Sequence, residues 1–356
     1  MNKVVLLMDI GGTNTRARIV SAEHTSYPDV EEIAFTQMKL SNKESLFDFL
    51  SELFNRYELE NRIELAVLCF AGPLVNHTRV TMTNWTGDKS INCSELHACG
   101  LPSDTLMLND MEAACYYLVS LRQIETNVKI TNLHPGRNGK PHKEGNSVLM
   151  IPGTGLGTAA ILFPEYSGSQ SRPVIIGSEI QHACVATLDA ADAPMLDKIA
   201  SYMGRDRLSW EDIVSGRGLV NIFTYLTNEA NANSSKVKSV PGLWAGEIAE
   251  HAVQKYDVNC ISALNIYYRY AGALAQLLAL CYQPLGGIYL AGESTSKNVS
   301  FIKQGHFLDE LHHSATQREG LQSYPVYLIA DEINLQGAAY LASLHLNSNE
   351  PKSFFA

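Results

Sequence analysis

The chain has 356 residues, of which 46% are hydrophobic and 18% are charged. This composition is typical of an ordinary folded globular protein, and the length predicts one large domain or two of average size. Lys and Arg number 27 against 37 for Asp and Glu, so the formal net charge is -10. The acidic balance argues against a general nucleic-acid or anionic-membrane binder, because such proteins need a basic surface.

Cysteine usage and the N-terminal pattern indicate a compartment. The 7 cysteines include no C-x-x-C pair, and this sparse, odd-numbered set is typical of reduced thiols rather than of a disulfide framework or a zinc site. The apolar run after Met1 stops at Asp9, too early for the core of a signal peptide. No stretch approaches the roughly 18 apolar residues of a membrane span. We therefore expect a cytoplasmic protein with no membrane or nucleic-acid partner.

The first elements in chain order are two short apolar runs at 4–8 and 15–20 with glycines between them, which predict a β-hairpin. Ser41-x-x-Glu44 has the pattern of a capping box. The apolar residues within 46–57 then recur at helical spacing, which predicts an amphipathic helix. The next elements are predicted as strands at 64–70 and 106–108 and a helix at 112–118.

The second half of the chain repeats the plan of the N-terminus. Residues 125–147 are polar and rich in Gly, Pro and Lys, and we expect them to form a loop between domains or sheets. A strand, a glycine turn and a returning strand follow at 148–163, which predicts two halves of related design. Later elements are predicted as a helix at 261–281, strands at 286–290 and 326–330, and a helix at 334–344. This alternation of strands and helices favours the α/β class.

Two glycine turns are candidate phosphate sites. In Asp9-Ile10-Gly11-Gly12-Thr13-Asn14, glycines would let backbone N–H groups approach a phosphate, and the aspartate could hold a hydrated magnesium ion. The same segment would also suit a plain hairpin turn. Gly153-Thr154-Gly155-Leu156-Gly157 matches neither the P-loop nor the G-x-G-x-x-G pattern. Because each turn lies between two predicted strands, the two turns could bind a triphosphate from opposite sides of a cleft.

Two further candidates carry polar side chains. Asn109-Asp110 follows a predicted strand, where ligands of α/β sheets collect, although an aspartate there is also an ordinary helix N-cap. Glu179 and His182 are three residues apart and could share a hydroxyl-rich ligand, although such pairs also occur on plain surfaces. No H-E-x-x-H motif or cysteine partner supports a metal site at His182.

Taken together, the motifs resemble those of the bacterial hexokinase-type glucokinases, the group without the cysteine zinc motif of the repressor/kinase family. They occur in the family's order and span nearly the whole chain. The matching segments are Asp9-Ile10-Gly11-Gly12-Thr13-Asn14, Ala71-Gly72-Pro73, Thr83-Asn84-Trp85, Leu108-Asn109-Asp110-Met111-Glu112-Ala113, Gly153-Thr154-Gly155-Leu156-Gly157, Ser178-Glu179-x-x-His182, Glu211 with Ser215-Gly216-x-Gly218-Leu219-Val220-Asn221, Gly286-Gly287-Ile288-Tyr289-Leu290-Ala291-Gly292, and Pro325-Val326-Tyr327-Leu328-Ile329.

The resemblance implies an α/β chain with the actin-like ATPase, ribonuclease H-like fold and two domains around a central cleft. It implies a small α/β domain at 1–109, completed by a C-terminal helix at about 335–356, and a large α+β domain at 110–334. It also implies an ATP-dependent hexose kinase that uses Mg²⁺ and transfers the γ-phosphoryl group to the 6-hydroxyl of glucose. A homodimer is implied by analogy with the family only.

The resemblance also implies roles for single residues. Asp110 would be the catalytic base, and Asp9 would face the metal ion. The sugar-binding set would be Asn109, Asp110, Glu179, His182 and Glu211. The nucleotide-binding set would be Met8, Asp9, Ile10, Gly11, Gly12, Thr13, Gly153, Thr154, Gly155 and Gly292.

One departure from the family concerns the sugar motif. The family usually has two glycines between the glutamate and the histidine, where this chain has Ile180 and Gln181. The glutamate–histidine spacing is retained, so we expect sugar binding to be retained, while the preference among hexoses stays open.

Three alternatives to glucose phosphorylation stay open. A catalytically silent sugar sensor of the repressor type would need a DNA-binding segment, and we expect none before the first strand. An actin-like assembly or chaperone ATPase would need the phosphate loops but not the sugar residues. A kinase for another hexose would keep both sets of residues.

Overall fold

The computed structural model describes residues 2–12, 14–23, 27–123, 130–137, 139, 141–164, 173–230, 235–238, 242–330 and 333–347. The chain divides into two compact units. The first unit consists of Met1–Asn127 and Glu332–Ala356, and the second unit is Val128–Asp331.

Strands and helices alternate along both units. The strands are β1 (Val4–Ile10), β2 (Thr15–Ser21), β3 (Glu32–Met38), β4 (Ile63–Phe70), β5 (Leu74–Val75), β6 (Arg79–Thr81), β7 (Ser90–Asn92), β8 (Leu106–Asn109), β9 (Ile130–His134), β10 (Ser147–Pro152), β11 (Leu156–Leu162), β12 (Val174–Ser178), β13 (Gly287–Ala291) and β14 (Val326–Ile329). The α-helices are α1 (Lys43–Tyr57), α2 (Cys93–Ala98), α3 (Asp110–Gln123), α4 (Ala193–Met203), α5 (Trp210–Ile213), α6 (Gly216–Tyr225), α7 (Ala245–Val253), α8 (Val258–Tyr282), α9 (Glu293–Lys297), α10 (Val299–Ile302), α11 (His306–Leu311), α12 (Arg318–Ser323) and α13 (Ile333–Asn347).

The first unit is built on a sheet with the strand order β3-β2-β1-β4-β8. Strands β1, β2 and β3 pair antiparallel, whereas β4 runs parallel to both β1 and β8. Both faces of β1 are buried: Leu6 and Met8 lie in a core with the apolar face of α1, and Val5 and Leu7 lie in a core with α13. Burial on both faces explains why this strand is a continuous apolar run rather than an alternating one.

The second unit repeats this plan in a sheet with the order β12-β11-β10-β13-β14-β9. Strands β10, β11 and β12 are antiparallel, and β13 is parallel to β10 and β14. The first five strands therefore match the order and directions of the first sheet. The predicted hairpins and the predicted relationship between the two halves are confirmed.

Two local predictions were wrong. Within the predicted loop 125–147, residues Ile130–His134 form β9, which pairs antiparallel with β14 at the sheet edge. Its residues are exposed or half-buried, so backbone pairing rather than apolar burial stabilises the strand. The sequence therefore shows no apolar alternation that would predict it. The N-cap of α1 is Asn42 rather than Ser41, because the Asn42 side chain accepts the Ser45 N–H at 2.8 Å.

The division of the chain differs from the boundary expected at 109/110. Helix α3, which begins at Asp110, belongs to the first unit, where it packs against α13. The two helices approach closely at Gly337, since a Cβ built there would lie 1.7 Å from the carbonyl oxygen of Ala113. The part of the expected C-terminal helix beyond residue 347 lies outside the described residues.

We expect Gly337→Ala to destabilise the first unit. The added methyl group would meet backbone rather than a flexible side chain, so α3 and α13 would have to move apart. Overpacking of this kind costs about 3 kcal/mol, against roughly 1 kcal/mol gained in helix propensity. The net loss of about 2 kcal/mol lowers the melting temperature by roughly 4–8 °C.

Thermal unfolding followed by circular dichroism measures this effect. Gly320→Ala is the matched control, because it is also a helical glycine and its nearest neighbour across the added Cβ is 3.6 Å away. A melting temperature of Gly337→Ala equal to that of the control would show that the helices do not need this close approach.

Candidate functional site

In the first unit, the carboxyl ends of three parallel strands meet at one edge of the sheet. The register pairs Asp9 of β1 with Cys69 of β4, and Phe70 of β4 with Asn109 of β8. Burial raises the pKa of the Cys69 thiol well above its usual range, and the charges of Asp9 and Asp110 raise it further. The structure therefore brings Asp9, Asn109 and Asp110 to the carboxyl ends of the parallel strands of this sheet.

Asn109 and Asp110 are held by hydrogen bonds at the start of α3. The Asn109 side-chain oxygen accepts the Met111 N–H at 2.8 Å, and its amide nitrogen donates to the Gly72 carbonyl oxygen at 3.0 Å. The Glu112 carboxylate in turn accepts the Asn109 N–H at 2.9 Å, which completes a reciprocal cap. One Asp110 carboxylate oxygen also accepts the Met111 N–H, at 2.9 Å. Because Asn109 and Glu112 already cap the helix, Asp110 is not needed for that purpose alone.

Asp9 has the surroundings of a partly shielded carboxylate. Its side chain is 16% exposed and lies 3.9 Å from the Arg16 guanidinium. Its other oxygen accepts a hydrogen bond of 3.2 Å from the Asn334 amide at the start of α13. A carboxylate at a strand end, mostly shielded from water, has the oxygen ligands that Mg²⁺ prefers.

The glycines after Asp9 are required by close packing. A Cβ on Gly11 would lie 2.7 Å from the Asn14 carbonyl oxygen, and one on Gly12 would lie 2.6 Å from the Asn84 Cβ. Met8 and Ile10 are buried within the strand, so only their backbone groups can serve a ligand at this turn. The predicted residue Thr13 lies outside the described residues.

In the second unit, the glycine turn between β10 and β11 is closed by its own backbone. The Gly153 N–H donates to the Gly155 carbonyl oxygen at 2.8 Å, and the Gly153 carbonyl oxygen accepts the Gly216 N–H at 2.8 Å. In the described part of the chain, the N–H groups of Thr154 and Gly155 donate no hydrogen bond. Two such adjacent donors fit a phosphate oxygen.

Glu211 holds this turn from the side. Its carboxylate accepts the Leu156 N–H at 3.1 Å, and the same oxygen would lie 2.8 Å from a Cβ on Gly155. Arg217 lies 3.3 Å from the other carboxylate oxygen. The resemblance places Glu211 in the sugar set, and the structure shows in addition that Glu211 contacts the glycine turn between β10 and β11.

Gly292 lies beside the same turn. Its φ of 108° is in the region that glycine adopts readily, at the junction of β13 and α9. A Cβ there would lie 3.6 Å from the Pro152 carbonyl oxygen, which also accepts a hydrogen bond from Ser294 at 3.2 Å. The structure thus brings together Gly153, Thr154, Gly155 and Gly292 of the predicted nucleotide set.

The sugar motif forms a short 3₁₀ turn at Ile180–His182. The Glu179 carboxylate lies 3.4 Å from the His182 Nε2, and both side chains are more than half exposed, at 62% and 58%. The Trp210 N–H donates to the Ala183 carbonyl oxygen at 3.1 Å, which joins this turn to the helix that carries Glu211. Glu179, His182 and Glu211 therefore belong to one connected part of the second unit.

Sequence reasoning did not anticipate three side chains of these sites. Asn334 bonds Asp9, Asn84 packs against Gly12, and Gln181 is buried beneath Glu179. Two of them had a signal in the sequence: Asn84 belongs to the matching segment Thr83-Asn84-Trp85, and Gln181 is a large residue where the family usually has a glycine. The contacts of Asn334 and Asn84 join residues far apart in the chain, so no local pattern could reveal which residues they meet.

The glucokinase family model matches residues 6–345. The chain belongs to the glucokinase family. A glucokinase from a Nostoc species is 28% identical over 356 residues, which cover 96% of this chain and 99% of the relative. This membership confirms the predicted ATP-dependent hexose kinase of the glucokinase type.

Solved structures show the fold. The crystal structure of the Balamuthia mandrillaris glucokinase in complex with glucose has a TM-score of 0.81 at 24% identity, covering 96% of this chain and 94% of that one. A ROK family glucokinase from Streptomyces griseus in complex with glucose and AMPPNP has a TM-score of 0.61 at 19% identity, covering 95% and 98%. The chain has the predicted actin-like ATPase fold.

In the part of the chain that the structure describes, no group of three or more His, Cys, Asp or Glu side chains is arranged to hold a metal ion. None of the helices in this part of the chain is long and apolar enough to cross a membrane.

Proposed function

We propose that this member of the glucokinase family transfers the γ-phosphoryl group of ATP to the 6-hydroxyl of glucose, with Asp110 as the general base. One observation carries the proposal. In the second unit, a glycine turn with two backbone donors and a glutamate–histidine pair are joined through the segment that contains Glu211. A hydroxyl-binding pair linked to a phosphate-binding turn suits a sugar kinase better than an ATPase without a sugar substrate.

The sugar would be held by complementary donors and acceptors. Glu179 and Glu211 supply carboxylate oxygens that accept hydrogen bonds, His182 supplies a ring nitrogen, and Asn109 supplies an amide. A hydroxyl missing from the sugar would leave a polar group of the protein unpaired. Sites of this kind reject such analogues by as much as ~10⁴-fold.

Asp110 would take the proton of the attacking hydroxyl. As the 6-hydroxyl oxygen bonds to the γ-phosphorus, its proton passes to an Asp110 carboxylate oxygen and the bond to the ADP oxygen breaks. General base catalysis of this type contributes about 10²–10⁴-fold in rate. Phosphoryl transfer otherwise needs mainly positioning and charge stabilisation.

Asp9 fits a role in holding Mg²⁺, either directly or through water. When bound, this ion would neutralise charge on the phosphate oxygens of ATP. The Thr154 and Gly155 N–H groups would donate to phosphate oxygens, with Glu211 keeping the turn in shape. We also propose a cytoplasmic location, on the cysteine usage and the N-terminal pattern, and a homodimer, on analogy with the family alone. Light scattering of the purified chain tests the dimer.

A coupled assay for ADP release tests the function directly. We expect ADP release that needs ATP, Mg²⁺ and glucose together, and glucose 6-phosphate as the product. Binding of glucose without turnover would support the silent sensor instead. ADP release that does not depend on any hexose would support the assembly ATPase, and a higher kcat/KM for another hexose would reassign the substrate.

A further inference from the structure

Gln181 is a buried amide between the sugar motif and the sheet of the second unit. Its side chain is 7% exposed, although its neighbours in the turn, Glu179 and His182, are mostly exposed. Its amide nitrogen donates to the Glu179 Oε2 at 2.7 Å. Its amide oxygen accepts a hydrogen bond of 3.0 Å from the Thr158 hydroxyl. Both ends of the amide are therefore paired.

Thr158 supports the amide from the side opposite Glu179. It lies on β11, is fully buried, and pairs in register with Ser178. The ionised Glu179 carboxylate can only accept, so the amide nitrogen faces it, and the Thr158 hydroxyl is 3.0 Å from the amide oxygen and 3.4 Å from the Ser178 carbonyl oxygen, to either of which it can donate. A hydrogen bond from a neutral donor to a carboxylate is among the stronger ones in proteins.

This arrangement gives the two carboxylate oxygens of Glu179 different surroundings. Oε2 accepts the Gln181 amide and faces the His182 Nε2 at 3.4 Å. Oε1 accepts no hydrogen bond from any residue that the structure describes. A side chain as exposed as Glu179 would otherwise be free to change rotamer, so the bond to Gln181 leaves one oxygen presented in a constant direction.

We propose that Gln181 is a positioning residue for Glu179 and that it sharpens the choice among hexoses. This inference rests on the proposed function, since Glu179 must bind a sugar hydroxyl. A glycine at position 181, as is usual in the family, has no side chain that could make either contact. A Glu179 carboxylate that Gln181 holds in one orientation discriminates against a sugar with a missing or inverted hydroxyl more strongly than a mobile carboxylate does.

A comparison of the parent protein with Gln181→Leu tests this inference, because leucine keeps the size of the side chain and removes both hydrogen bonds. We expect the KM for glucose to rise about tenfold, with kcat and the KM for ATP within about twofold of the parent values. The decisive readout is the ratio of kcat/KM for glucose to that for each monodeoxyglucose and for mannose. The Glu179→Ala variant identifies the hydroxyl that Glu179 binds. For the sugar that is altered at this hydroxyl, the ratio should be lower in Gln181→Leu than in the parent.

Thr158 supplies matched variants. Thr158→Val should reproduce part of the Gln181→Leu effect, Thr158→Ser should restore parent behaviour, and the Gln181→Leu/Thr158→Val double variant should be no worse than Gln181→Leu. Melting temperatures check that each variant is folded. Unchanged sugar ratios in a folded Gln181→Leu protein, or equal rises in both KM values, would overturn the inference. A parent chain that phosphorylates no hexose would instead refute the proposed function.

Discussion

Replacing Asp110 by Asn should lower kcat by about 10²–10⁴-fold, while the Kd for glucose changes by less than about threefold. The Asn side chain keeps an oxygen that can accept the Met111 N–H, which Asp110 bonds at 2.9 Å. The start of α3 should therefore keep its shape, also because Asn109 and Glu112 cap it independently. The Asn amide, unlike the Asp110 carboxylate, cannot accept the proton of the attacking hydroxyl. Steady-state kinetics give kcat, and calorimetric titration gives the Kd.

Glu112→Gln is the matched control for this variant. It removes a negative charge from the same helix end, and the amide oxygen can still accept the Asn109 N–H that Glu112 bonds at 2.9 Å. We expect its kcat to stay within a few-fold of the parent. If Asp110→Asn also retained kcat to within about tenfold, Asp110 would not be the base, because a base contributes more than that.

Glu179→Ala should raise the KM for glucose by about 100-fold and leave the KM for ATP within about threefold. The variant removes an acceptor for a sugar hydroxyl. It also leaves the Gln181 amide, which donates to Glu179 at 2.7 Å, without its partner in a buried position. Initial rates with one substrate varied and the other saturating separate the two constants.

An exposed carboxylate of the same unit serves as the comparison. Glu250 on α7 accepts a hydrogen bond from Gln254 at 2.9 Å, and Glu250→Ala should leave both KM values unchanged. Equal increases in the KM for glucose and for ATP in Glu179→Ala would assign this residue to folding or to a step that both substrates share.

Local patterns predicted the elements around the sites well. The glycine turns after β1 and β10 lie between paired antiparallel strands, as the spacing of apolar runs and glycines indicated. Asn109 and Asp110 lie where β8 ends and α3 begins, as the end of the apolar run indicated. These features follow from backbone preferences and side-chain periodicity over a few residues, so a single sequence contains them.

Contacts between distant residues could not be read in this way. Ile130–His134 form β9 although the segment around them is polar, because their backbone hydrogen bonds are made with β14. The bond from Leu156 to Glu211 links residues 55 positions apart, and the one from Asn334 to Asp9 links residues 325 apart. Each depends on how elements pack, which side-chain type and spacing do not determine.

The sequence by itself determined that this chain carries two related strand–turn–strand halves, and its ordered motifs indicated a glucokinase. Tertiary structure alone decided that Glu211 reaches the glycine turn and that Gln181 lies buried between Thr158 and Glu179. The physical reason is that an element's own periodicity sets its conformation, whereas the partner of a polar side chain depends on which groups folding buries beside it.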